Sequence, residues 1–339
     1  MGARLTLINS SACEGGHRRI FRPVEERPQP GQVAGSVQAA STSRRGGCLV
    51  ATVDRRLVAG GEAKVSSATW RRVVLPDAEL EIVVRGSGVP MVLIQTALTA
   101  DEFLPLARQS ELQDHYQVIV YHRRGYGRSS PVQGPGSIER DALDCQRLLA
   151  ALDIESAHAV GVSYSAAVAL QLAAAAPSSV RTLTLIEPPP VHTPSADEFL
   201  DANTAFMEDY RLLGSATALD RFLARVIGPD WRTDIQHHLP GAAAQMERDA
   251  GTFFATDMPA LVTWRFTAED ARRVKQPVLY IGGSESGAWF AEVRELILAW
   301  LPQAQDVVLE GADHSLAMTH SAQIAAAIRA FLSEQPVDV

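Results

Sequence analysis

Hydrophobic positions from Trp70 onward fall into short runs that alternate with longer segments of helical period. The short runs predict strands at 71–75, 80–84, 91–94, 117–121, 157–162, 181–186, 277–281 and 306–309. The longer segments predict helices at 101–109, 138–152, 166–176, 289–300 and around 324–332. A Pro76-Asp77 turn joins the first two strands and predicts an opening hairpin. The alternation predicts an α/β fold, with a mostly parallel central sheet flanked by helices.

This rhythm breaks between residues 191 and 270, where no strand pattern occurs. Helical patterns appear instead at 197–212, 216–226 and 242–254. The break predicts a core formed by 68–190 and 271–339, with a helical lid inserted at 191–270. The lid is rich in aromatic residues, namely Phe199, Phe206, Phe222, Trp231, Phe253, Phe254, Trp264 and Phe266. We expect most of them to pack the core of the lid and a few to line an apolar pocket.

Residues 1–67 differ from the rest of the chain in both pattern and charge. They show no sustained period and carry ten Lys or Arg against five Asp or Glu. They therefore hold a charge of +5, and the remainder holds −13 to give the total of −8. We expect a disordered extension rather than a targeting peptide, since 1–10 lacks a basic segment followed by a long apolar core. An internal start of translation near Val65 is a further hypothesis.

Composition narrows the class of protein. With 339 residues, of which 46% are hydrophobic, the chain can bury a large core, and its charge of −8 argues against a nucleic-acid partner. The three cysteines, Cys13, Cys48 and Cys145, form no C-x-x-C pair, so neither a disulfide framework nor a zinc site is predicted. They fit a cytoplasmic protein. The uncharged segment 156–180 contains several polar residues, and we interpret it as a strand and a helix rather than a membrane span.

The most specific local pattern is Gly161-Val162-Ser163-Tyr164-Ser165, which lies between a predicted strand and a predicted helix. A serine at such a turn is typical of a nucleophile elbow, where small flanking residues let strand and helix approach closely. Gly161 meets this requirement. Ser165 stands where the G-x-S-x-G pattern has its second glycine.

Further motifs follow the order of a known superfamily. His122-Arg123-Arg124-Gly125 begins the stretch H-R-R-G-Y-G-R-S-S, which is similar to D-x-R-G-x-G-x-S, and G-A-D-H ends at His314. Together with the elbow and the helical insertion, they make residues 70–333 resemble the α/β-hydrolase superfamily. The resemblance implies a triad in the order serine, acid, histidine, without cofactor or metal.

On this resemblance, Ser163 is the predicted nucleophile and His314 the predicted base. Two carboxylates follow strands that can face the histidine. Glu285 stands at the usual family position and is preferred as the acid, while Glu187 stands at a position that some members use. Asp313 ranks third, because neighbouring residues rarely orient their side chains toward one another.

Two backbone N–H groups are expected to stabilise an oxyanion. The residue after the nucleophile, Tyr164, supplies one, and Ala97 is the expected second donor. Gln95 and Thr96 stand where the family has His-Gly, and His122 stands where most relatives have aspartate. We expect these three residues to lie at the mouth of the site as pocket residues.

These expectations define a serine hydrolase that acts through an acyl-enzyme on a small to medium, largely apolar ester or related carbonyl compound. A carbon-carbon bond hydrolase and a cofactor-free perhydrolase use the same triad and remain alternatives. A non-catalytic ligand-binding protein on the same fold is the alternative from another class, since Ser165, Gln95-Thr96 and His122 depart from the family pattern.

Overall fold

A computed structural model of the chain describes residues 69–335. The predicted N-terminal extension, Cys13, Cys48 and the start proposed near Val65 lie outside the described residues.

Eight strands within the described residues form one sheet. They are β1 (Arg71–Val74), β2 (Glu79–Arg85), β3 (Val89–Ile94), β4 (Tyr116–Tyr121), β5 (Ala157–Val162), β6 (Val180–Ile186), β7 (Val278–Gly283) and β8 (Ala304–Leu309). Their order is β1-β2-β4-β3-β5-β6-β7-β8. The pairings β1–β2 and β2–β4 are antiparallel and all the others are parallel. The predicted opening hairpin and mostly parallel sheet are confirmed.

Helices of the core flank this sheet. They are α1 (Leu104–Ala107), α2 (Ser110–Gln113), α3 (Ile138–Ala151), α4 (Tyr164–Ala175), α11 (Ala288–Trp300), α12 (Leu316–Thr319) and α13 (Ser321–Ser333). Ser137 caps α3, because its side chain accepts a hydrogen bond from the Arg140 N–H. The helix predicted at 101–109 is shorter in the structure. The segment contains only the four-residue helix α1, and a separate helix, α2, follows after Gln109.

The segment between β6 and β7, called here the helical insertion (residues 191–270), contains helices and no strand. They are α5 (Ala196–Leu213), α6 (Ser215–Val226), α7 (Trp231–His238), α8 (Ala242–Thr252), α9 (Met258–Thr263) and α10 (Ala268–Ala271). A π-helical turn, Phe253–Asp257, joins α8 to α9. The predicted helix 242–254 therefore ends in a turn with i→i+5 hydrogen bonds and more residues per turn than an α-helix.

Alternating side chains of the strands build a core on each face of the sheet. In β3, Met91 and Leu93 join the apolar cluster that includes residues of α1, α2 and α13. Val92 and Ile94 join the cluster that includes residues of α3, α4 and α11. Successive side chains of a strand point to opposite faces, so one buried strand supplies both cores.

The uncharged segment 156–180 consists of β5, α4 and the turn that leads to β6, as the sequence predicts. Within residues 69–335, no helix combines the length and the apolar character that crossing a membrane requires.

Candidate active site

Ser163 lies at a one-residue turn between β5, which ends at Val162, and α4, which begins at Tyr164. Its backbone has φ 50° and ψ −119°, a conformation that residues other than glycine rarely adopt. The Ser163 N–H donates to the Ile186 carbonyl at 3.0 Å and ties the turn to β6. The predicted nucleophile therefore has the strained strand-to-helix turn that its motif indicates.

The two small positions that flank the turn differ in their roles. A Cβ atom on Gly161 would lie 2.3 Å from the Ser165 carbonyl oxygen, so a side chain at 161 requires the backbone to move. Ser165 is fully buried, and its hydroxyl accepts from the Val162 N–H at 2.9 Å and donates to the Val162 carbonyl at 3.0 Å. The buried Ser165 hydroxyl therefore has both a donor and an acceptor partner, and these hydrogen bonds connect the start of α4 to the end of β5.

A cavity of about 1320 Å³ opens at this turn. It is lined at the turn by Ala97, Ser163, Tyr164, Glu187 and His314. Its aromatic lining comes from Phe199, Phe206, Phe222, Phe253, Trp289 and Phe290. The expectation that a few aromatic residues of the insertion line a pocket is confirmed, while others such as Trp231 and Phe254 pack its core. No group of three or more His, Cys, Asp or Glu between residues 69 and 335 has the arrangement of a metal site.

His314 follows β8 and is hydrogen-bonded to Glu187, the residue that follows β6. The distance from His314 Nδ1 to Glu187 Oε2 is 2.7 Å, and Glu187 is 1% exposed. The other carboxylate oxygen of Glu187 accepts from the Gly283 N–H at 2.8 Å. Phe290 stacks on the imidazole, with ring centroids 3.9 Å apart. A carboxylate beside Nδ1 assigns the proton to that nitrogen and leaves Nε2 as the acceptor.

This geometry favours Glu187, the alternative acid, over Glu285, which was preferred from the sequence. Glu285 is exposed, and its N–H donates to the Ala312 carbonyl at 2.8 Å in the loop after β7. Glu187 has φ 43°, an unusual backbone conformation at the end of β6, and its side chain meets His314. Asp313 accepts from the Ser315 N–H at 2.9 Å within its own loop. Both glutamates follow parallel strands, so the sequence pattern alone cannot rank them.

A second carboxyl group in the neighbourhood of the base has a shifted pKa. Burial raises the pKa of Glu102 to about 7, and the charge of His314 acts in the opposite direction. Glu102 precedes α1 and is half-buried.

The expected oxyanion donors both lie at the cavity. Tyr164 is the first residue of α4, where backbone N–H groups have no partner within the helix. Ala97 lies in the loop after β3, and the neighbouring Thr96 hydroxyl donates to the Val162 carbonyl at 2.9 Å. This bond fixes the loop to the strand that carries the nucleophile. The assignment of Ala97 and Tyr164 as donors stays a prediction.

Gln95, Thr96 and His122 do not line this cavity, and the prediction that they form its mouth is corrected. The side chains of Gln95 and Thr96 are buried within the loop after β3, where the Gln95 amide donates to the Thr96 carbonyl at 2.9 Å. His122 lies between two carboxylates, 3.1 Å from Glu81 and 2.9 Å from Asp101. The sequence shows that these three residues follow strand ends, but it does not show which way their side chains point.

A buried ionic cluster beside the loop was not predicted from the sequence. Arg123 pairs with Asp141 of α3 at 2.6 Å and with Asp257 of the π-helical turn at 2.8 Å. Burial lowers the pKa of Arg123, but Asp257 and Asp141 outweigh it and raise the pKa well above its usual value. Burial raises the pKa of Asp141, and the positive charge of Arg123 offsets only part of that rise. The H-R-R-G stretch pointed to Arg123, but nothing local indicates a partner 134 positions further along the chain.

Comparison with known proteins agrees with this architecture. A family model described as the alpha/beta hydrolase fold matches residues 90–321, which is more than half of the chain. The "Putative carbamate hydrolase RutD" of Azorhizobium caulinodans is 34% identical over 110 residues, which are 32% of this chain and 41% of that protein. The polyketide synthase ThaQ of Burkholderia thailandensis is 29% identical over 267 residues, which are 76% of this chain and 12% of that protein. The chain thus spans less than half the length of either relative.

A solved structure shows the same fold. The thermophilic esterase from Thermogutta terrifontis superimposes with a TM-score of 0.66 at 20% identity, covering 79% of this chain and 99% of the esterase. The family match over the core, the sheet order and the strained serine turn lead to one assignment: the chain belongs to the α/β-hydrolase family.

Proposed function

We propose that the protein is a serine hydrolase with the triad Ser163, His314 and Glu187. The observation that carries this proposal is the 2.7 Å contact between His314 Nδ1 and a nearly inaccessible Glu187, in the same cavity as a serine at a strained turn. A carboxylate that holds the imidazole leaves its second nitrogen free to take a proton from a serine hydroxyl.

The proposed reaction has two halves. His314 Nε2 removes the Ser163 proton as the hydroxyl oxygen attacks the carbonyl carbon, and Glu187 stabilises the imidazolium. The N–H groups of Tyr164 and Ala97 stabilise the oxyanion, and His314 then protonates the leaving alcohol. Water attacks the acyl-enzyme with His314 again as the base, so the acid is released and Ser163 regains its proton.

The substrate we propose is a carboxylic ester with a largely apolar acyl or alcohol group. The cavity is lined by six aromatic residues from the helical insertion and α11, which suit apolar groups better than charged ones. The names of two similar proteins, a carbamate hydrolase and an esterase, support a carbonyl substrate. In this role the insertion acts as a lid that excludes water and selects the acyl chain.

A fluorophosphonate probe tests the proposal, because it reacts with activated serines. Wild-type protein should be labelled at Ser163 and should hydrolyse p-nitrophenyl esters with a preference among chain lengths. Ser163→Ala should lose both properties while binding the same apolar ligands. Unlabelled wild-type protein that binds ligands without turning over any ester would instead support the non-catalytic alternative. Adding hydrogen peroxide to the ester assay, with peracid as the readout, separates hydrolysis from perhydrolysis.

A further inference from the structure

The loop of residues 95–98, called here the oxyanion loop, is held from behind by Arg123. The Arg123 N–H donates to the Gln95 side-chain oxygen at 2.7 Å, and the guanidinium Nε donates to the Gln95 carbonyl at 3.0 Å. Nη2 donates to the Thr96 carbonyl at 3.3 Å. One arginine therefore fixes two successive peptide groups immediately before Ala97.

The same guanidinium joins the loop to the helical insertion. Arg123 is 3% exposed and shares its charge between Asp141 and Asp257, which are both buried. One buried cation between two carboxylates leaves excess negative charge, which is costly unless other donors satisfy it. Two tyrosine hydroxyls supply those donors: Tyr164 donates to Asp141 at 2.9 Å, and Tyr126 donates to Asp257.

Tyr126 completes a second path from the insertion to the loop. Its hydroxyl oxygen accepts from the Leu98 N–H at 2.9 Å while its proton is donated to Asp257. Leu98 has φ 63°, a left-handed conformation that is unfavourable for a leucine and persists only where the surroundings impose it. Its side chain packs in the apolar cluster of the insertion, and its carbonyl accepts from Gln245 of α8 at 3.2 Å. The insertion thus supplies the contacts that hold the strained residue next to Ala97.

Asp257 occupies a suitable place for this connection. It ends the π-helical turn Phe253–Asp257, a geometry frequent at functional sites, and it lines the cavity together with Phe253 and Met258. Among the described residues, the Asp257 carboxylate is linked to the oxyanion loop only indirectly, through its hydrogen bonds with Arg123 and Tyr126.

We propose that Asp257 is a positioning residue for the oxyanion loop, acting through Arg123 and Tyr126, so that the helical insertion sets the placement of the Ala97 N–H. The proposal rests on the proposed hydrolase function. It gives the insertion a part in transition-state stabilisation that is distinct from its part in forming the pocket.

The test compares Asp257→Asn with a matched control, Asp144→Asn. Asp144 also pairs with a buried arginine, since Arg124 Nε donates to it at 2.6 Å and Nη2 donates at 2.9 Å, but this pair makes no bond to the oxyanion loop. For a p-nitrophenyl ester, Asp257→Asn should lower kcat by about 10- to 100-fold and change KM by less than about 3-fold. Asp144→Asn should leave both values within about 3-fold of wild type. The rate of fluorophosphonate labelling should fall in parallel with kcat.

Equal kcat values for the two variants, or a loss confined to KM, would overturn the proposal. If Asp257→Asn does not fold, Tyr126→Phe serves as the test instead, because it removes only the hydroxyl between Leu98 and Asp257. This variant should lower kcat by about 10-fold, and an unchanged kcat contradicts the inference.

Amide hydrogen exchange separates this inference from the proposed function. The Leu98 amide should exchange faster in Asp257→Asn than in Asp144→Asn, whether or not the protein turns over esters. If wild-type protein shows no labelling but Leu98 responds in this way, the hydrolase proposal fails and the positioning by Asp257 stands. Equal exchange in the two variants overturns the positioning.

Discussion

At the residue scale, the environment of Glu187 suits its carboxylate to the role proposed for it. One oxygen meets His314 and the other accepts from the Gly283 N–H, so each oxygen has a partner in a site where the residue is 1% exposed. A buried carboxylate with one neutral donor and one imidazole is well placed to stabilise an imidazolium. Its unusual φ of 43° is the kind of strain found where function requires a fixed side chain.

The first prediction concerns this carboxylate. Glu187→Gln keeps the size of the side chain and removes the charge, so we expect kcat for a p-nitrophenyl ester to fall by about 10³-fold or more. The matched control is Glu285→Gln, an exposed residue at the end of the neighbouring strand, which should stay within about 3-fold of wild type. A larger loss of kcat in Glu285→Gln than in Glu187→Gln would identify Glu285 as the triad acid instead.

Sequence reasoning at this scale succeeds where the signal is local and fails where it depends on a side-chain direction. The turn at Ser163 could be predicted, because strand, turn and helix adjoin in the chain. The pairing of Glu187 with His314 spans 127 positions and depends on which strand lies beside which. Gln95 was placed in the pocket by its position after β3, but its amide points to Arg123 and Thr96 instead.

At the scale of elements, the close contact of β5 with α4 determines what the turn tolerates. Gly161 faces the backbone of α4 at Ser165 and Ala166, where a Cβ would find its nearest atoms at 2.3–2.7 Å. These atoms belong to a buried helix and cannot rotate away as a side chain could.

The second prediction tests this contact. Gly161→Ala should destabilise the fold by about 3 kcal/mol and displace the serine turn, so that labelling of Ser163 slows as well. Urea unfolding and fluorophosphonate kinetics measure the two effects.

Gly251→Ala is the control, since Gly251 lies in α8 and a Cβ there would find only the Tyr210 hydroxyl at 3.9 Å. It should be neutral or stabilise the fold by up to about 1 kcal/mol. Similar losses in both variants would mean that packing at residue 161 is ordinary.

Elements of regular pattern could be predicted well, and irregular ones could not. Strand β5 has the predicted bounds, and α5, α6 and α8 follow from their helical period, whereas the shorter helices α7, α9 and α10 were not predicted. The π-helical turn Phe253–Asp257 directly continues α8, so its i→i+5 hydrogen bonding is not visible in the sequence. That turn presents Asp257 to Arg123, which explains why the ionic cluster was also missed.

At the scale of the whole molecule, ionisable groups inside the sheet make the free energy of unfolding depend on pH. Burial, together with the charge of Arg181, lowers the pKa of His158 from 6.5 to about 4. His158 lies on β5, with its Nδ1 2.9 Å from the Thr182 hydroxyl of β6 and its ring against Tyr116. The folded protein therefore favours the neutral imidazole.

The third prediction follows from this shift. Below the unfolded pKa of 6.5 the unfolded chain binds a proton, which the folded protein does not accept until about pH 4. Stability is thus lost as pH falls through this window, by an amount on the order of 2 kcal/mol. His158→Gln removes this loss, so its unfolding free energy should fall less than that of wild type between pH 7 and 4.5, measured with urea. His237→Gln, at an exposed position, should follow wild type.

The ion pair between Arg123 and Asp257 joins residues 134 positions apart, and this separation has a consequence for the order of folding. Closing so long a segment has an entropic cost that only cooperative packing of both ends can offset. His314 lies still further along the chain. On the proposed triad, a polypeptide emerging from the ribosome therefore presents Ser163 long before His314 and the anchored oxyanion loop can come together around it, and the serine remains an ordinary hydroxyl until residue 314 has been synthesised.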